Sequence, residues 1–297
     1  MSPSGESLLV DAGFAGFRDA ERIASAAKLA GVKSIDYLLI THHHQDHEGG
    51  VPELLMRLPV RAVLEHGPTV ETDGKASEES QRVYDAYVRA VARMSRRVVV
   101  PGDKIPITGL DVTVVASATK FIERAGAPNP HCAGLEPRVS SAVEDGENPQ
   151  SVGIVLQFGR FKFADLGDLS WNQELRFLCP NNRVGSLDLY LSVHHGTGMT
   201  PKAEWAMAPR VAVMNNGARK GGEPASWQTV RNSPGLEDLW QLHFSIAGGN
   251  ENNVQDRYIA NVEGGSDGNF IKASASIDGS FSIYNSRTRE TKGYKPR

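Results

Sequence analysis

The sequence predicts an α/β protein, with strands and helices alternating through residues 1–115 and 150–250. Three observations carry this. Short apolar, partly β-branched runs recur at strand length. Between them lie segments whose apolar residues return at helical spacing. Gly and Pro punctuate the junctions. With 297 residues, 40% of them hydrophobic, the chain can fill a large core. It is read as a single domain over 1–297, with residues 250–297 forming a C-terminal hairpin extension.

Residues 7–10 form the first strand and run into Asp11-Ala12-Gly13. The chain opens with the turn residues Pro3-Ser4-Gly5, which normally join two strands, so a first N-terminal strand is expected to be missing upstream. The segment "RDAERIASAAKLAG" is an Ala-rich helix stopped by Gly31. Tyr37-Leu38-Leu39-Ile40 is a buried strand, and Val51-Pro52-Glu53-Leu54-Leu55-Met56 a helix with Pro in its first turn. "RAVLEHG" is another short strand. "SEESQRVYDAYVRAVARM" is a helix with Val83, Tyr84, Tyr87, Val88 and Val91 near helical spacing. "RRVVVPGDKIPITGLDVTVVAS" gives strands broken at Pro101-Gly102 and Gly109. Residues 118–150 are the least regular stretch and are expected to cover the site or to move. Residues 152–158 and 160–165 read as a hairpin turning at Gly159-Arg160, and "WNQELRFL" as a short helix. In "NFIKASASIDGSFSIYNS" two alternating strands meet at Asp278-Gly279.

Between the strand at 37–40 and the helix at 51–56 lies "THHHQDHEGG". Its spacing, His42-x-His44-x-Asp46-His47, lets a short loop turn four donors toward one point. His42 and His44 could hold one ion, and Asp46 and His47 a second. Imidazole with carboxylate suits zinc, and also iron or manganese. A solvated His-rich patch or a tag is the bland alternative, but neither explains the strand-to-helix setting. His43 is expected to point away, and Glu48 to serve as a helix-start carboxylate.

This HxHxDH run followed by Gly49-Gly50 resembles the signature of the metallo-β-lactamase-fold hydrolases. The resemblance implies a four-layer αββα sandwich with one or two metals at one edge. It makes Asp168, in "GRFKFADLGDLS", the carboxylate that bridges both metals, with Asp165 as an alternative. It makes His195, before Gly196 in "LDLYLSVHHGTG", a ligand of the second metal. His194 is then a supporting residue behind the ligands, a substrate contact or a proton donor, because neighbours on an extended chain point opposite ways. Asp11 is similar to a family residue that supports the metal loop. More narrowly, "HHGT" and the Asn148-x-x-Ser151 pattern look like the ComEC-like subgroup, which places Asn148 and Ser151 near substrate or behind the ligands.

The third first-metal histidine of better-known branches has no counterpart segment here. His131 is the candidate substitute, a loop histidine the alternative, and one metal site is expected to be weak. His66 is a candidate substrate or supporting residue, and His243 a structural one. In "MNNGARKGG", the amides, Arg219 and Lys220 could bind an anionic substrate group, with a solvated Gly-rich loop as the alternative, and Asn216 and Lys220 are candidates to touch substrate or to support the ligands from behind.

The implied cofactors are two divalent ions, zinc first, with manganese or iron as alternatives. The implied mechanism is attack by a metal-bound hydroxide, with Asp46, Asp168 and His194 as catalytic residues. A phosphodiesterase or nuclease-like activity is the expectation. The alternative is a lactone, amide or thioester hydrolase with weak β-lactam turnover. A non-catalytic, metal-poor binding scaffold is the reading of another class.

The formal net charge of −3 argues against strong duplex nucleic-acid binding, leaving a small molecule or short phosphodiester as substrate. No apolar run is long enough to span a membrane. A homo-oligomer is left open. The compartment is either cytoplasmic or, with an upstream signal peptide, periplasmic or secreted. Two cysteines, Cys132 and Cys179, fit one bridge or two buried thiols, and Cys132 could also approach the metals.

Overall fold

A computed structural model of the chain describes residues 1–72, 76–262 and 268–297. The chain divides into two compact units, residues 1–121 with 141–153, and residues 122–140 with 154–297.

In the first unit four parallel strands, Leu8–Val10, Ile35–Leu39, Val60–Glu65 and Ser95–Val98, lie side by side in that order. The register sets Leu39 beside both Val10 and Leu64. Asp11, Thr41 and His66 therefore emerge at one common edge, which is where open parallel sheets hold their ligands. Helices Phe17–Leu29, Val51–Leu55 and Glu78–Val91 supply the covering layer. Leu38, Ile40, Leu54, Val63, Tyr87 and Val91 form a core with almost no exposure. Ser77 caps the helix Glu78–Val91 by accepting from the Ser80 amide. Strands Lys104–Ile105, Asp111–Ser117 and Lys120–Phe121 pair antiparallel after it.

In the second unit the hairpin forms at its expected turn, pairing Gly153–Phe158 with Phe161–Asp165 through Gly159 at φ 56°. From Phe161–Asp165 the sheet continues in parallel through Leu189–Leu191, Val211–Met214, Asp238–His243 and Ile259–Asn261. The residues that follow the first three, Asp168, His194-His195 and Asn215-Asn216, thus leave from the same ends of neighbouring strands.

The C-terminal segment, which no motif accounts for, has a clear packing role. The expected hairpin Ile271–Ala275 and Phe281–Asn285 gains a third strand, Thr291–Tyr294. Its Phe281, Ile283 and Tyr294 pack on Phe161, Leu189, Val211 and Trp240. Trp240 donates its indole N–H to the Tyr294 hydroxyl (3.1 Å), which donates in turn to Asp238 (2.8 Å). No helix of the described residues is long and apolar enough to cross a membrane.

The irregular stretch 118–150 carries a disulfide between Cys132 and Cys179, the residue that ends the helix Trp171–Leu178. Cys132 is thereby removed as a thiol near any metal.

Candidate metal centre

In the first unit the histidine-rich loop folds on itself. The His42 and His44 rings are 4.6 Å apart and those of His42 and His47 4.0 Å. His42 Nε2 lies 2.9 Å from His44 Nδ1, and His47 Nε2 lies 3.2 Å from Asp46 Oδ2. The four proposed ligands of this loop are therefore side by side, with His42 and His47 buried. The donor set, imidazole with carboxylate, fits a borderline divalent ion such as zinc.

Asp11 holds this loop in shape. Its Oδ1 accepts from the Thr41 amide (2.8 Å), and its Oδ2 from the Thr41 hydroxyl (2.8 Å). The same Oδ2 is 2.7 Å from His47 Nδ1. That contact fixes the tautomer with the proton on Nδ1 and turns Nε2 toward Asp46, the usual arrangement behind a metal-bound imidazole. Asp11 adopts φ 58°, a left-handed conformation that Asp tolerates better than most residues.

His43 points away from the ligands, as expected, into a buried polar network. Its Nδ1 is 2.6 Å from Glu48 Oε2 and its Nε2 2.7 Å from the Gly67 carbonyl. Glu48 lies in the first turn of the short helix Gln45–Glu48, but it is buried and commits an oxygen to His43. Burial pulls the His43 pKa down, but the Glu48 carboxylate beside it wins and raises it.

The centre of this network is Glu147, a residue the sequence reading did not select. It accepts from the His43 amide (2.9 Å), Thr69 Oγ1 (2.8 Å) and the Val70 amide (2.6 Å), and it meets His66 Nε2 at 2.9 Å. Burial alone would raise its pKa, but these partners, His66 foremost, hold it down to about 2. His66 reaches the expected edge and is turned into this cluster, 6% exposed, so it supports the loop, one of its two expected roles. Val152 N donates to the Thr41 carbonyl (2.8 Å), so Asn148 and Ser151, both buried, lie on a segment anchored to the metal loop at each end. Glu71, also missed, approaches His44 Nε2 at 3.4 Å. Nothing in the local pattern marks either glutamate, because their importance comes from contacts distant in sequence.

In the second unit Asp168, 3% exposed, lies 3.3 Å from His195 Nε2 and 3.9 Å from His194 Nε2. The turn before it uses Gly167 at φ 57°, its amide donating to Asp165 Oδ1 (3.0 Å). Asp165 thus shapes the turn, and Asp168 is the carboxylate it presents. The expectation that His194 and His195 diverge is corrected. They are not extended but both left-handed, at φ 48° and 55°, so both rings reach the same carboxylate oxygen. Two successive left-handed residues that are not glycine cost of order 1–3 kcal/mol each, a strain found mostly at working sites.

His195 is held from behind by the "MNNGARKGG" loop. Its Nδ1 lies 3.3 Å from the Asn215 carbonyl, and its own carbonyl accepts from Gly222 N (2.9 Å). A Cβ on Gly221 would stand 2.1 Å from the His195 carbonyl oxygen, so only glycine fits there. Asn216 is fully buried and donates to the His243 and Gly217 carbonyls, which makes it a staple of this loop, the supporting one of its two expected roles. Lys220 and Arg219 are exposed on the same loop. His131 packs edge-on against Trp205, ring centroids 5.5 Å apart, beside the disulfide. The structure does not bring it into the Asp168, His194 and His195 group.

The family model for the metallo-beta-lactamase superfamily matches residues 2–178, more than half of the chain. The chain belongs to this superfamily and has its mixed α/β fold. Among curated relatives, a hydroxyacylglutathione hydrolase from Alkalilimnicola ehrlichii is 37% identical over 104 residues, 35% of this chain and 37% of that protein. An atrochrysone carboxyl ACP thioesterase from a Cryptosporiopsis species is 35% identical over 88 residues, 29% of this chain and 27% of that protein. The chain thus matches little more than a third of these relatives' lengths at most. Among solved structures, the metallo-beta-lactamase fold protein YhfI from Bacillus subtilis aligns with TM-score 0.44 at 12% identity, covering 80% of this chain and 84% of its own.

Proposed function

We propose that the chain is a metal-dependent hydrolase acting on a carbonyl substrate, with a thioester as the favoured bond, and that the histidine-rich loop and the Asp168–His195 turn supply its metal ligands. The observation that carries the metal reading is shared by both groups. In each, a histidine Nδ1 meets a protein oxygen, Asp11 for His47 and the Asn215 carbonyl for His195, and Nε2 is turned toward a carboxylate. His42, His44, Asp46, His47, Asp168 and His195 are the ligands we assign, with zinc as the ion that suits them best. His131 is not among them.

Bound divalent ions would supply Lewis acidity and lower the pKa of water at the site. The protein's own part is positioning and proton transfer. Asp46 and Asp168 would each bring negative charge to a bound cation. His194, beside Asp168, is placed to give a proton to the leaving group, and a thiolate leaving group asks little of it.

The thioester preference is supported by the names of the curated relatives, a hydroxyacylglutathione hydrolase and a carrier-protein thioesterase, and it replaces the phosphodiesterase expectation. The phosphodiester reading, and with it the ComEC-like subgroup, retains the support of "HHGT" and of Asn148 and Ser151 beside the metal loop. A panel decides between them: a hydroxyacylglutathione, a simple lactone, a cephalosporin reporter and bis-p-nitrophenyl phosphate, assayed with zinc and with manganese. Turnover led by the thioester is expected. Turnover of the phosphodiester alone would reverse the assignment. Protein that holds only trace metal and stays inert after supplementation would favour a binding scaffold. The Cys132–Cys179 bond supports an oxidising compartment as the place of action.

A further inference from the structure

A cavity of about 390 Å³ in the second unit is walled by Trp171, Trp205, Arg138, Lys202, Glu223 and Gly198, among others. Pockets of this size hold a ring-sized ligand. Both indole N–H groups are already spent, Trp171 on the Glu136 carbonyl (2.9 Å) and Trp205 on the Thr229 carbonyl (2.8 Å). The rings therefore offer a visitor only their faces and edges.

Each ring carries a cation. The Arg138 guanidinium carbon is 4.0 Å from the Trp171 centroid, and the Lys202 ammonium 5.7 Å from that of Trp205. Neither cation pairs with a carboxylate among the described residues. The one carboxylate in the wall, Glu223, accepts from the Gly198 amide (3.3 Å). Arg138 is set in place by its backbone, which exchanges two hydrogen bonds with the Asn172 side chain (2.8 and 3.0 Å).

The cavity is also joined to the segment that presents His195. Arg138 Nη1 donates to the Gly198 carbonyl (3.4 Å), and the Glu223 amide to the Gly196 carbonyl (3.0 Å). We propose that this cavity binds a flat, negatively charged group of the substrate, such as an aryl carboxylate, stacked on the indoles and paired with Arg138 and Lys202. Its assignment as part of the substrate site rests on the hydrolase reading above; the binding itself does not.

The test is a titration of the full-length chain with 2-naphthoate, followed by tryptophan fluorescence, with neutral 2-naphthamide as control. Saturable quenching by naphthoate is expected, with naphthamide, and naphthoate on an R138Q/K202Q variant, each bound about tenfold more weakly. W171F should cut the quenching amplitude. Equal binding of the two ligands, or an unchanged affinity in the double variant, would overturn the anion site. Naphthoate should also compete with substrate turnover, and quenching without competition would overturn its role in substrate binding. Lack of turnover of every substrate in that panel counts against the hydrolase reading and leaves the fluorescence result to decide the cavity.

Discussion

The Glu147 carboxylate and the His43 backbone amide lie 2.9 Å apart, so a glutamate far along the chain fixes the middle of the metal loop. Glu147 is fully buried and also answers Thr69, Val70 and His66. E147A leaves these donors without an acceptor and should cost about 3–5 kcal/mol of stability, measured by urea unfolding at neutral pH. E147Q keeps one acceptor oxygen and should cost clearly less. A near-neutral E147A would show that the network does not anchor the loop.

Asp11 holds Thr41 and His47, and through His47 it would act on an ion bound as proposed. D11N should weaken metal binding by roughly 10–100-fold, read by competition with a chelating indicator, while thermal unfolding of the metal-depleted protein changes little. D46A should remove an ion outright and leave the fold nearly intact. Unchanged stoichiometry in D46A would mean that Asp46 is not a ligand.

Glu204 gives a pH signature of its own. It is 1% exposed, and its Oε2 accepts from the Thr200 hydroxyl (3.1 Å), while Glu174 accepts from the Thr200 amide (2.6 Å). Burial pushes its pKa up to about 8 from an ordinary 4.5. Between those values the folded state keeps a proton that the unfolded state has lost, so stability falls as pH rises through that window. E204Q should match the parent near pH 4.5 and unfold several degrees higher near pH 8. Parallel pH profiles for the two proteins would contradict this.

The Cys132–Cys179 bond closes a span of 47 residues. Loop-closure entropy assigns such a cross-link about 4 kcal/mol, so reduction or a C132S/C179S variant should lower the urea midpoint accordingly. Free thiols titrating in the unreduced, unfolded protein would show that the bond does not form.

Much of the fold is legible in the sequence because it is local. The strand Ile35–Leu39, the helices at Phe17–Leu29 and Glu78–Val91 and the turns at Gly159 and Gly279 follow from periodicity and turn chemistry. The ligand loop is legible because its donors are adjacent. What stays hidden depends on partners far along the chain. His66 reads as a strand-end histidine until Glu147 meets it, and Asn216 as a supporting or substrate residue until the His243 carbonyl claims its amide. His194 and His195 mislead for another reason. Side chains alternate only on extended chain, and the left-handed pair breaks that rule.

The central claim, that the side chains of both proposed groups are metal ligands, is tested most directly by an anomalous-scattering map of zinc-loaded crystals. The account predicts ion density bonded both to His47 of the histidine-rich loop and to Asp168 or His195. Density confined to one group, or zinc bound without any of these three side chains, would contradict it.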